Sequence, residues 1–354
     1  MTDLEKLCSR ITEAADCAVI TDDVNRRYFT AMKSSAGTLV VFPEKAYFII
    51  DFRYIEKAKK TVTACEVILQ DKLYEQINSL IEKHGAKTVS VNADTCTLSE
   101  LIAYQQKLNA EVIADTKLAE IIREIRTVKS QEQIEKIIKA QRIAEKGFAH
   151  MLDFIRVGRT EKEIQLELDY YMLKNGAEAL SFDTIALSGS NTSLPHGVPS
   201  DKKVESGEFV LMDFGATYDG WHSDMTRTVC VGKPSDKMKS VYETVLTAQL
   251  SALDAVKAGM SGKALDKIAR DIITEAGYGD NFGHSLGHGV GVEIHESPYA
   301  SPSREDILPE NSIVTVEPGI YLEGKFGVRI EDFVVVTENG CINMTKAPKE
   351  LICL

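Results

Sequence analysis

An internal repeat in the last two thirds of the chain constrains its fold more than any other feature. Five pairs of residues match at a constant offset of 101 positions: Gly158, Thr160, Lys162, Ile164 and Gly176 with Gly259, Ser261, Lys263, Leu265 and Gly277. Each copy is typical of a helix, a glycine stop, a Ser/Thr cap, a second helix and another glycine stop. The alternative is that these five pairs match by chance, since glycine and Ser/Thr residues occur at the ends of helices in many proteins. We favour a duplication because acidic residues recur in the segments that follow.

A β-rich hairpin follows each copy of the repeat and carries two carboxylates among apolar residues. Asp213 and Asp224 lie in the first hairpin, at 209–216 and 221–231, and Glu317 and Glu331 lie in the second, at 313–321 and 327–336. Alternation along a strand can point such residues to one side of adjacent strands. Four buried carboxylates repel one another unless they are protonated or bind cations. The sequence therefore predicts a metal site, and an oxygen-rich ligand set with one imidazole favours Mn²⁺, Co²⁺ or Zn²⁺.

The imidazole is predicted to come from a glycine-rich segment with three histidines. His284, His288 and His295 lie within twelve residues, although the whole chain has only seven histidines. Glycines around them let the backbone approach closely. We favour a functional role for this cluster and for His196. Structural roles are favoured for the remaining three: His84, His150 and His222.

The first third of the chain has a different pattern and predicts a separate mixed α/β domain. A hairpin is expected at 39–42 and 47–50, with helices at 73–84, ended by Gly85, and at 98–108. A capping box at 130–133 opens a long helix of the next unit. A chain of 354 residues suits two domains. We place them at residues 1–125 and 126–354.

Charge and composition exclude several classes of function. The net charge of −12 disfavours binding to nucleic acid or to an anionic membrane. The charged first residues lack the apolar core of a signal peptide, and no segment is apolar enough to span a membrane; we expect a cytoplasmic protein. The seven cysteines are scattered, with no Cys-x-x-Cys pair, which indicates neither a disulfide framework nor a zinc knuckle.

Six short motifs together resemble the pita-bread metallopeptidases, which include methionine aminopeptidase, Xaa-Pro aminopeptidase (aminopeptidase P) and Xaa-Pro dipeptidase (prolidase). They lie in order at 194–197, 212–215, 223–228, 287–289, 316–319 and 327–332. Each motif alone is weak evidence for a family. The tripeptide Asp213-Phe214-Gly215, for example, also occurs in kinases, but this chain lacks the glycine-rich loop and the His-Arg-Asp motif of a kinase. The resemblance implies an α+β chain, in which a creatinase-like N-terminal domain precedes a pita-bread domain with duplicated halves.

The resemblance also implies a ligand set for two divalent metal ions. Asp213 resembles the bidentate ligand of one ion, Asp224 and Glu331 resemble the bridging carboxylates, His288 the single imidazole ligand and Glu317 the remaining ligand. Mn²⁺ is the cation we expect, with Co²⁺ or Zn²⁺ as alternatives. Two cations would lower the pKa of a bridging water and supply hydroxide, while Glu317 passes a proton towards the leaving amine.

Three further residues resemble catalytic groups of the family. His196 and His295 look like the residues that steady the substrate carbonyl and the tetrahedral intermediate. Arg329 is expected to orient the carboxylates or the substrate. A structural ion pair of Arg329 with Asp332 or another acid is an equal alternative.

The activity implied is hydrolysis of the Xaa-Pro bond at the N-terminus of proline-containing peptides, by a homodimeric enzyme. An Xaa-Pro bond is a tertiary amide without an N–H group, so it resists peptidases that require that donor. The separate N-terminal domain disfavours a methionine aminopeptidase. The complete ligand set disfavours a metal-free creatinase or a catalytically silent binding protein, although the binding protein remains an alternative.

Whether the enzyme is an aminopeptidase or a dipeptidase depends on recognition of the substrate carboxylate. Many prolidases have an arginine, a natural partner of a carboxylate, at the position of Tyr299. The segment 51–54, Asp-Phe-Arg-Tyr, resembles one in aminopeptidase P relatives, although Arg53 in a surface turn, paired with a nearby acid, is the alternative. We favour an Xaa-Pro aminopeptidase, with prolidase as the alternative because Arg329 or a partner's arginine could serve instead.

Overall fold

The computed structural model describes all 354 residues, which form two compact units, Met1–Arg126 and Thr127–Leu354. The strands of the first unit are β1 (Cys17–Ile20), β2 (Thr38–Val41), β3 (Ala46–Ile50), β4 (Glu66–Leu69), β5 (Thr88–Val91) and β6 (Glu111–Ile113). Its helices are α1 (Asp3–Arg10), α2 (Asp23–Thr30), α3 (Ile55–Thr61), α4 (Leu73–His84), α5 (Leu98–Lys107) and α6 (Lys117–Thr127).

The six strands form one mixed sheet in the order β4-β3-β2-β1-β5-β6. Strands β1, β2 and β3 pair antiparallel, while β4, β5 and β6 each join in parallel. Alternate residues enter different cores: Ala18 packs in the cluster with α1, α2 and α6, and Val19 in the cluster with α4 and α5. Helices therefore cover both faces of the sheet. The predicted mixed α/β domain is confirmed.

Two local predictions for the first unit agree with the structure. The predicted hairpin is the β2–β3 pair, with Val41 opposite Ala46. Helix α4 ends at His84 because Gly85 adopts a left-handed conformation with φ of 67°, which glycine adopts without strain. The structure also shows the arrangement given above as the alternative for the 51–54 segment: Arg53 is exposed and donates to the nearby Asp51 at 2.6 Å.

The second unit contains four longer helices and thirteen strands. The helices are α7 (Gln131–Phe154), α8 (Glu161–Lys174), α9 (Asp236–Ala255) and α10 (Gly262–Glu275). The strands are β7 (Ala179–Leu180), β8 (Ile185–Ser188), β9 (Glu208–Phe214), β10 (Ala216–Tyr218), β11 (Trp221–His222), β12 (Met225–Val231), β13 (Gly287–Gly289), β14 (Glu296–Ala300), β15 (Ile313–Val316), β16 (Gly319–Leu322), β17 (Phe326–Arg329), β18 (Asp332–Thr337) and β19 (Gly340–Asn343). None of the helices combines the length and apolar character needed to cross a membrane.

The duplication is visible as two similar halves of the second unit. The four repeat glycines that precede or follow α8 and α10 all have positive φ: Gly158, Gly176, Gly259 and Gly277. Thr160 and Ser261 cap the N-termini of α8 and α10 with their side chains. A three-stranded sheet follows in each half, β12-β9-β8 in the first and β15-β18-β19 in the second. The prediction of duplicated halves is thereby confirmed.

Each half has its own hydrophobic core of helices packed on a sheet. Phe148 of α7 and Met212 of β9 belong to one contiguous buried cluster, and Val245 of α9 and Val334 of β18 belong to another. Burying the apolar face of each sheet under a helix pair fixes the strands. The strand ends are therefore rigid supports for the acidic residues described next.

Candidate metal centre

The four predicted acidic ligands meet at the ends of two antiparallel strand pairs. Asp213 lies in β9, and Asp224 directly precedes β12, the partner of β9. Glu317 directly follows β15, and Glu331 directly precedes β18, the partner of β15. The sequence predicted that all four acids lie within strands. Asp213 does, but Asp224, Glu317 and Glu331 each lie one residue outside a strand, because the hydrogen-bonded strand pairing ends at the neighbouring residue.

The strand ends bring three of the predicted ligands into one cluster with His288. Potential ligand atoms of Asp224, His288 and Glu331 all lie within 4.8 Å of one another. Nε2 of His288 is 3.4 Å from Oε1 of Glu317 and 3.6 Å from Oδ2 of Asp224. Nδ1 of His288 donates to the Gly289 carbonyl oxygen at 3.1 Å, so the lone pair of Nε2 faces the acids.

The donor atoms of the cluster fit divalent cations. Three buried carboxylate oxygens have no hydrogen-bond partner in the chain: Oδ1 of Asp213, Oδ1 of Asp224 and Oε1 of Glu331. Such atoms are rare in folded proteins because a buried acceptor without a partner is unfavourable. Carboxylate oxygens with one neutral imidazole are a common donor set for Mn²⁺, Co²⁺ and Zn²⁺. Divalent cations bound here would give these oxygens the partners that the chain does not provide.

The electrostatics of the metal-free cluster point to the same chemistry. Burial, reinforced by the charge of Asp213, raises the pKa of Asp224 well above its usual range, and burial with the charge of Asp224 does the same for Glu331. Burial raises the pKa of Glu317 to about 8. Burial and the neighbouring His295 lower the pKa of His288 to about 3. Without a cation, burial thus favours the protonated forms of Asp224, Glu317 and Glu331 and the neutral form of His288. A metal ion would displace the protons of the three acids.

Arg329 binds one of the predicted ligands. Its Nη2 donates to Oδ2 of Asp213 at 2.5 Å, and its Nε donates to Oγ1 of Thr226 at 3.0 Å. Thr226 in turn donates to Oε2 of Glu331 at 2.8 Å. The guanidinium therefore orients two carboxylates of the cluster, one directly and one through Thr226.

The alternative partner proposed for Arg329 is held by other cations. Asp332 accepts hydrogen bonds from Arg227 at 2.7 Å and from Lys349 at 2.8 Å. Its side chain is fully buried, and the charge of Arg227 helps to keep its pKa low against the effect of burial. Asp332 thus anchors the strand next to Glu331 but does not pair with Arg329.

A hydrogen-bond chain extends from Arg329 to His284. Nη1 of Arg329 donates to the Tyr321 hydroxyl at 2.7 Å. Nδ1 of His284 donates to the Ser285 carbonyl oxygen at 2.8 Å, so Nε2 accepts from the Tyr321 hydroxyl at 2.9 Å. Burial, with the charge of Arg329, lowers the pKa of His284 to about 4. His284 thus remains a neutral acceptor at the end of this chain.

All predicted site residues line one cavity of about 460 Å³. The predicted ligands and catalytic groups in its wall are His196, Asp213, Asp224, His288, His295, Glu317, Arg329 and Glu331. The centre of the His295 ring lies 4.3 Å from that of His288. Apolar side chains, including Phe182, Ile185 and Ile294, complete the wall. The individual roles assigned to these residues remain predictions.

Several residues that support the cavity were not singled out from the sequence. Tyr321 and Thr226 bind Arg329, and Thr315 donates to Oε1 of Glu317 at 3.2 Å. Thr226 lies two residues after Asp224, and Thr315 two residues before Glu317, so strand alternation could have indicated that each faces the same side as the acid. Nothing in the sequence identified Tyr321, because its contact with Arg329 depends on the β16–β17 pairing.

Comparison with known families identifies the fold. The model of metallopeptidase family M24 matches residues 135–338, more than half of the chain, and the creatinase/prolidase N-terminal domain matches residues 4–128. The chain belongs to metallopeptidase family M24. Its membership confirms the family resemblance and the two-domain pita-bread fold predicted from the motifs.

Named M24 relatives match nearly the whole chain. The Xaa-Pro dipeptidase of Pyrococcus furiosus is 40% identical over 352 residues, covering 99% of both proteins. The structure of the Xaa-Pro dipeptidase from Bacillus anthracis aligns with a TM-score of 0.96 at 42% identity, covering 99% of both chains. That of the X-Pro aminopeptidase from Thermotoga maritima MSB8 aligns with a TM-score of 0.90 at 39% identity, covering 96% of this chain and 98% of that one.

Proposed function

We propose that this M24 member is an Xaa-Pro aminopeptidase that uses two divalent cations, with Mn²⁺ as the expected metal. The main support is the set of four carboxylates and one imidazole lining the cavity, with buried, unpartnered oxygens on Asp213, Asp224 and Glu331. Relatives called Xaa-Pro dipeptidase and X-Pro aminopeptidase support cleavage next to proline.

Each group in the cavity has a chemical task in this proposal. Divalent cations held by the cluster would supply Lewis-acid activation of water and of the substrate carbonyl. Glu317, oriented by Thr315, can hold a proton on its carboxylate and pass it to the leaving amine. Burial lowers the pKa of His295, so its neutral ring can donate to the carbonyl oxygen as negative charge develops there. His196 would contribute a second such contact.

The cavity wall also suits a prolyl bond. The leaving nitrogen of proline carries no hydrogen, so the site needs no acceptor for an N–H group there. Phe182, Ile185 and Tyr299 provide an apolar surface for the pyrrolidine ring.

A second candidate function, Xaa-Pro dipeptidase, is favoured by one specific contact. Many prolidases have an arginine at the position of Tyr299, and this chain has no positive charge at that position. In the structure, the guanidinium carbon of Arg304 lies 4.1 Å from the centre of the Tyr299 ring, which itself lines the cavity. Arg304 does not line the cavity itself, but it places a positive charge beside Tyr299, from where it could bind the terminal carboxylate of a dipeptide.

Steady-state kinetics would test the proposed function. Protein freed of metal and then loaded with Mn²⁺, Co²⁺ or Zn²⁺ is assayed on Ala-Pro, Ala-Pro-Ala, Ala-Pro-Ala-Ala and, as a control, Ala-Ala-Ala. We expect hydrolysis of only the proline peptides, with kcat/KM for the longer peptides at least equal to that for Ala-Pro. A tenfold preference for Ala-Pro, equal to about 1.4 kcal/mol in transition-state binding, would establish the dipeptidase. No hydrolysis and no metal binding would favour the silent binding protein.

The contribution of Arg304 can be measured separately. Arg304→Ala should lower kcat/KM for Ala-Pro about tenfold or more if the enzyme is a dipeptidase, and should leave it nearly unchanged if it is an aminopeptidase. Lys263→Ala is the matched control, because Lys263 is an exposed cation that pairs with Glu305, the neighbour of Arg304, but does not stack on Tyr299.

A further inference from the structure

A buried carboxylate outside the metal centre binds both ends of the loop that carries His196. Glu161, the first residue of α8, is fully buried. Its Oε1 accepts from the Ser188 amide at 2.7 Å and hydroxyl at 3.1 Å, and from the Asn191 side chain at 3.0 Å. Its Oε2 accepts from the Ser200 amide at 3.0 Å and hydroxyl at 2.6 Å, and again from Asn191 at 3.2 Å. We call this group the Glu161 cluster.

The charge of Glu161 is stabilised by neutral donors. No lysine, arginine or histidine nitrogen lies within 4.0 Å of its carboxylate. The N-terminus of α8 favours a negative charge at this position. The amides of Glu161 and Lys162 also donate to the carbonyl oxygens of Lys202 and Ser200, each at 3.1 Å. The start of α8 and the exit of the loop are therefore joined by backbone and side-chain hydrogen bonds.

The position of His196 is set by the backbone of the loop between Ser188 and Ser200. The ring of His196 makes no hydrogen bond within the chain, so its place in the cavity depends on the backbone that carries it. Elsewhere in the loop, Thr192 accepts from the Gly327 amide at 2.8 Å, and the Pro195 carbonyl accepts from Arg329 at 3.3 Å. The Glu161 cluster is the only contact that holds both ends of the loop through one side chain.

We propose that Glu161 is a positioning residue that places His196 over the candidate metal centre by holding both ends of the 188–200 loop. The inference rests on the proposed function, in which His196 contacts the substrate. Glu161 itself does not line the cavity, so it acts through the loop. Loss of the cluster would let His196 move while leaving in place the predicted metal ligands, which lie in or next to strands outside this loop.

A double-mutant cycle tests the coupling of Glu161 to His196. Glutamine at position 161 has nearly the size of glutamate but replaces one acceptor oxygen with an NH₂ group, which cannot accept from its present donors. In the Mn²⁺-loaded enzyme, we expect Glu161→Gln to lower kcat about 10- to 100-fold with unchanged metal content, because small misplacements of a catalytic group have effects of this size. In a His196→Ala background, the same substitution should lower kcat less than about threefold. Equal losses in both backgrounds would overturn the proposal.

Matched variants separate positioning from folding. Glu163→Gln changes an exposed acid on the first turn of the same helix, where it bonds to Thr160 and Arg159, and should leave kcat near the wild-type value. Glu161→Asp keeps the charge and should recover part of the activity lost in Glu161→Gln. If Glu161→Gln does not fold, Ser200→Ala removes one donor and should lower kcat by a smaller factor, again only when His196 is present. Additive loss from Ser200→Ala would overturn the proposal.

Hydrogen exchange provides a test that does not require turnover. Glu161→Gln should speed amide exchange in residues 189–200 and leave 223–231 and 313–337 unchanged. Unchanged exchange in the loop would overturn the proposal even if the wild-type enzyme cleaves Xaa-Pro peptides. Faster exchange together with no cleavage by the wild-type protein would instead overturn the proposed function, and with it the role of His196, while confirming that Glu161 orders the loop.

Discussion

Arg329 donates from Nη2 to Oδ2 of Asp213 at 2.5 Å, with both side chains almost fully buried. The other oxygen of Asp213 has no partner in the chain. One face of this carboxylate is thus fixed by a permanent cation, and the other is directed towards the cluster. The pair therefore orients a predicted ligand before any metal binds.

Replacing Arg329 by lysine should weaken this orientation. A lysine ammonium keeps the charge but cannot reach Asp213, Thr226 and Tyr321 through one planar group. We expect a loss of about 10- to 100-fold in metal affinity or in kcat, the usual effect of removing a partner of a metal ligand. Calorimetric titration with Mn²⁺ and steady-state kinetics would measure it. Wild-type values for both would show that Arg329 has no part in the site.

Asp213→Asn should abolish turnover and leave the fold intact. The substitution weakens metal binding but relieves repulsion among buried acids. We expect kcat to fall by at least about 100-fold, with an unchanged circular dichroism spectrum. Near-normal activity with added Mn²⁺ would refute the assignment of Asp213 as a ligand.

His295→Ala should lower kcat far more than metal content. Its predicted contact is with the developing negative charge on the substrate, and loss of such a donor reduces kcat by about 100-fold. Metal content by atomic emission and kcat should be compared with His150→Ala, which changes a histidine bound to Glu167 away from the cavity. A parallel loss of metal would make His295 a ligand instead.

The stability of the metal-free protein should decrease as pH rises. Burial raises the pKa of Glu317 from an ordinary value of 4.5 to about 8, so the folded state binds a proton that the unfolded state releases. The resulting stability is complete below about pH 4.5 and is lost as pH rises through about 8. We expect a lower Tm at pH 9 than at pH 6, and a larger increase in Tm on adding Mn²⁺ at pH 9. Glu317→Gln should reduce the slope, whereas a metal-free Tm that rises between these pH values would contradict the prediction.

Lys129→Met should destabilise the second unit strongly. Nζ of Lys129 lies 2.7 Å from Oε1 of Glu296, and both side chains are buried. Removing the lysine leaves a buried carboxylate without this cation, which reduces the free energy of unfolding by about 3–5 kcal/mol. Urea denaturation would measure the change, with Lys162→Met, in an exposed pair with Asp201, as a control expected to change stability by less than about 1 kcal/mol. Adding Glu296→Gln to Lys129→Met should restore much of the loss, and a change below about 1 kcal/mol for Lys129→Met would contradict the prediction.

Local signals in the sequence determined much of the fold. Some features depend only on residues close together in the chain, so the local sequence predicts them directly. They include the β2–β3 hairpin, the end of α4 at Gly85 and the N-terminal cap of α7 at Ser130. The repeat glycines likewise marked the helices of both halves. Apolar runs around the acids predicted buried carboxylates, and four such carboxylates close together require protons or cations.

Only the tertiary structure decided which groups hold these acids in place. Asp213 and Arg329 are 116 positions apart, and Ser200 binds Glu161 across 39 positions. No local pattern encodes such pairs, because they depend on how strands and helices pack around each core. Residue types and short-range periodicity thus predicted the chemistry of the site, while long-range packing chose the partners that orient it.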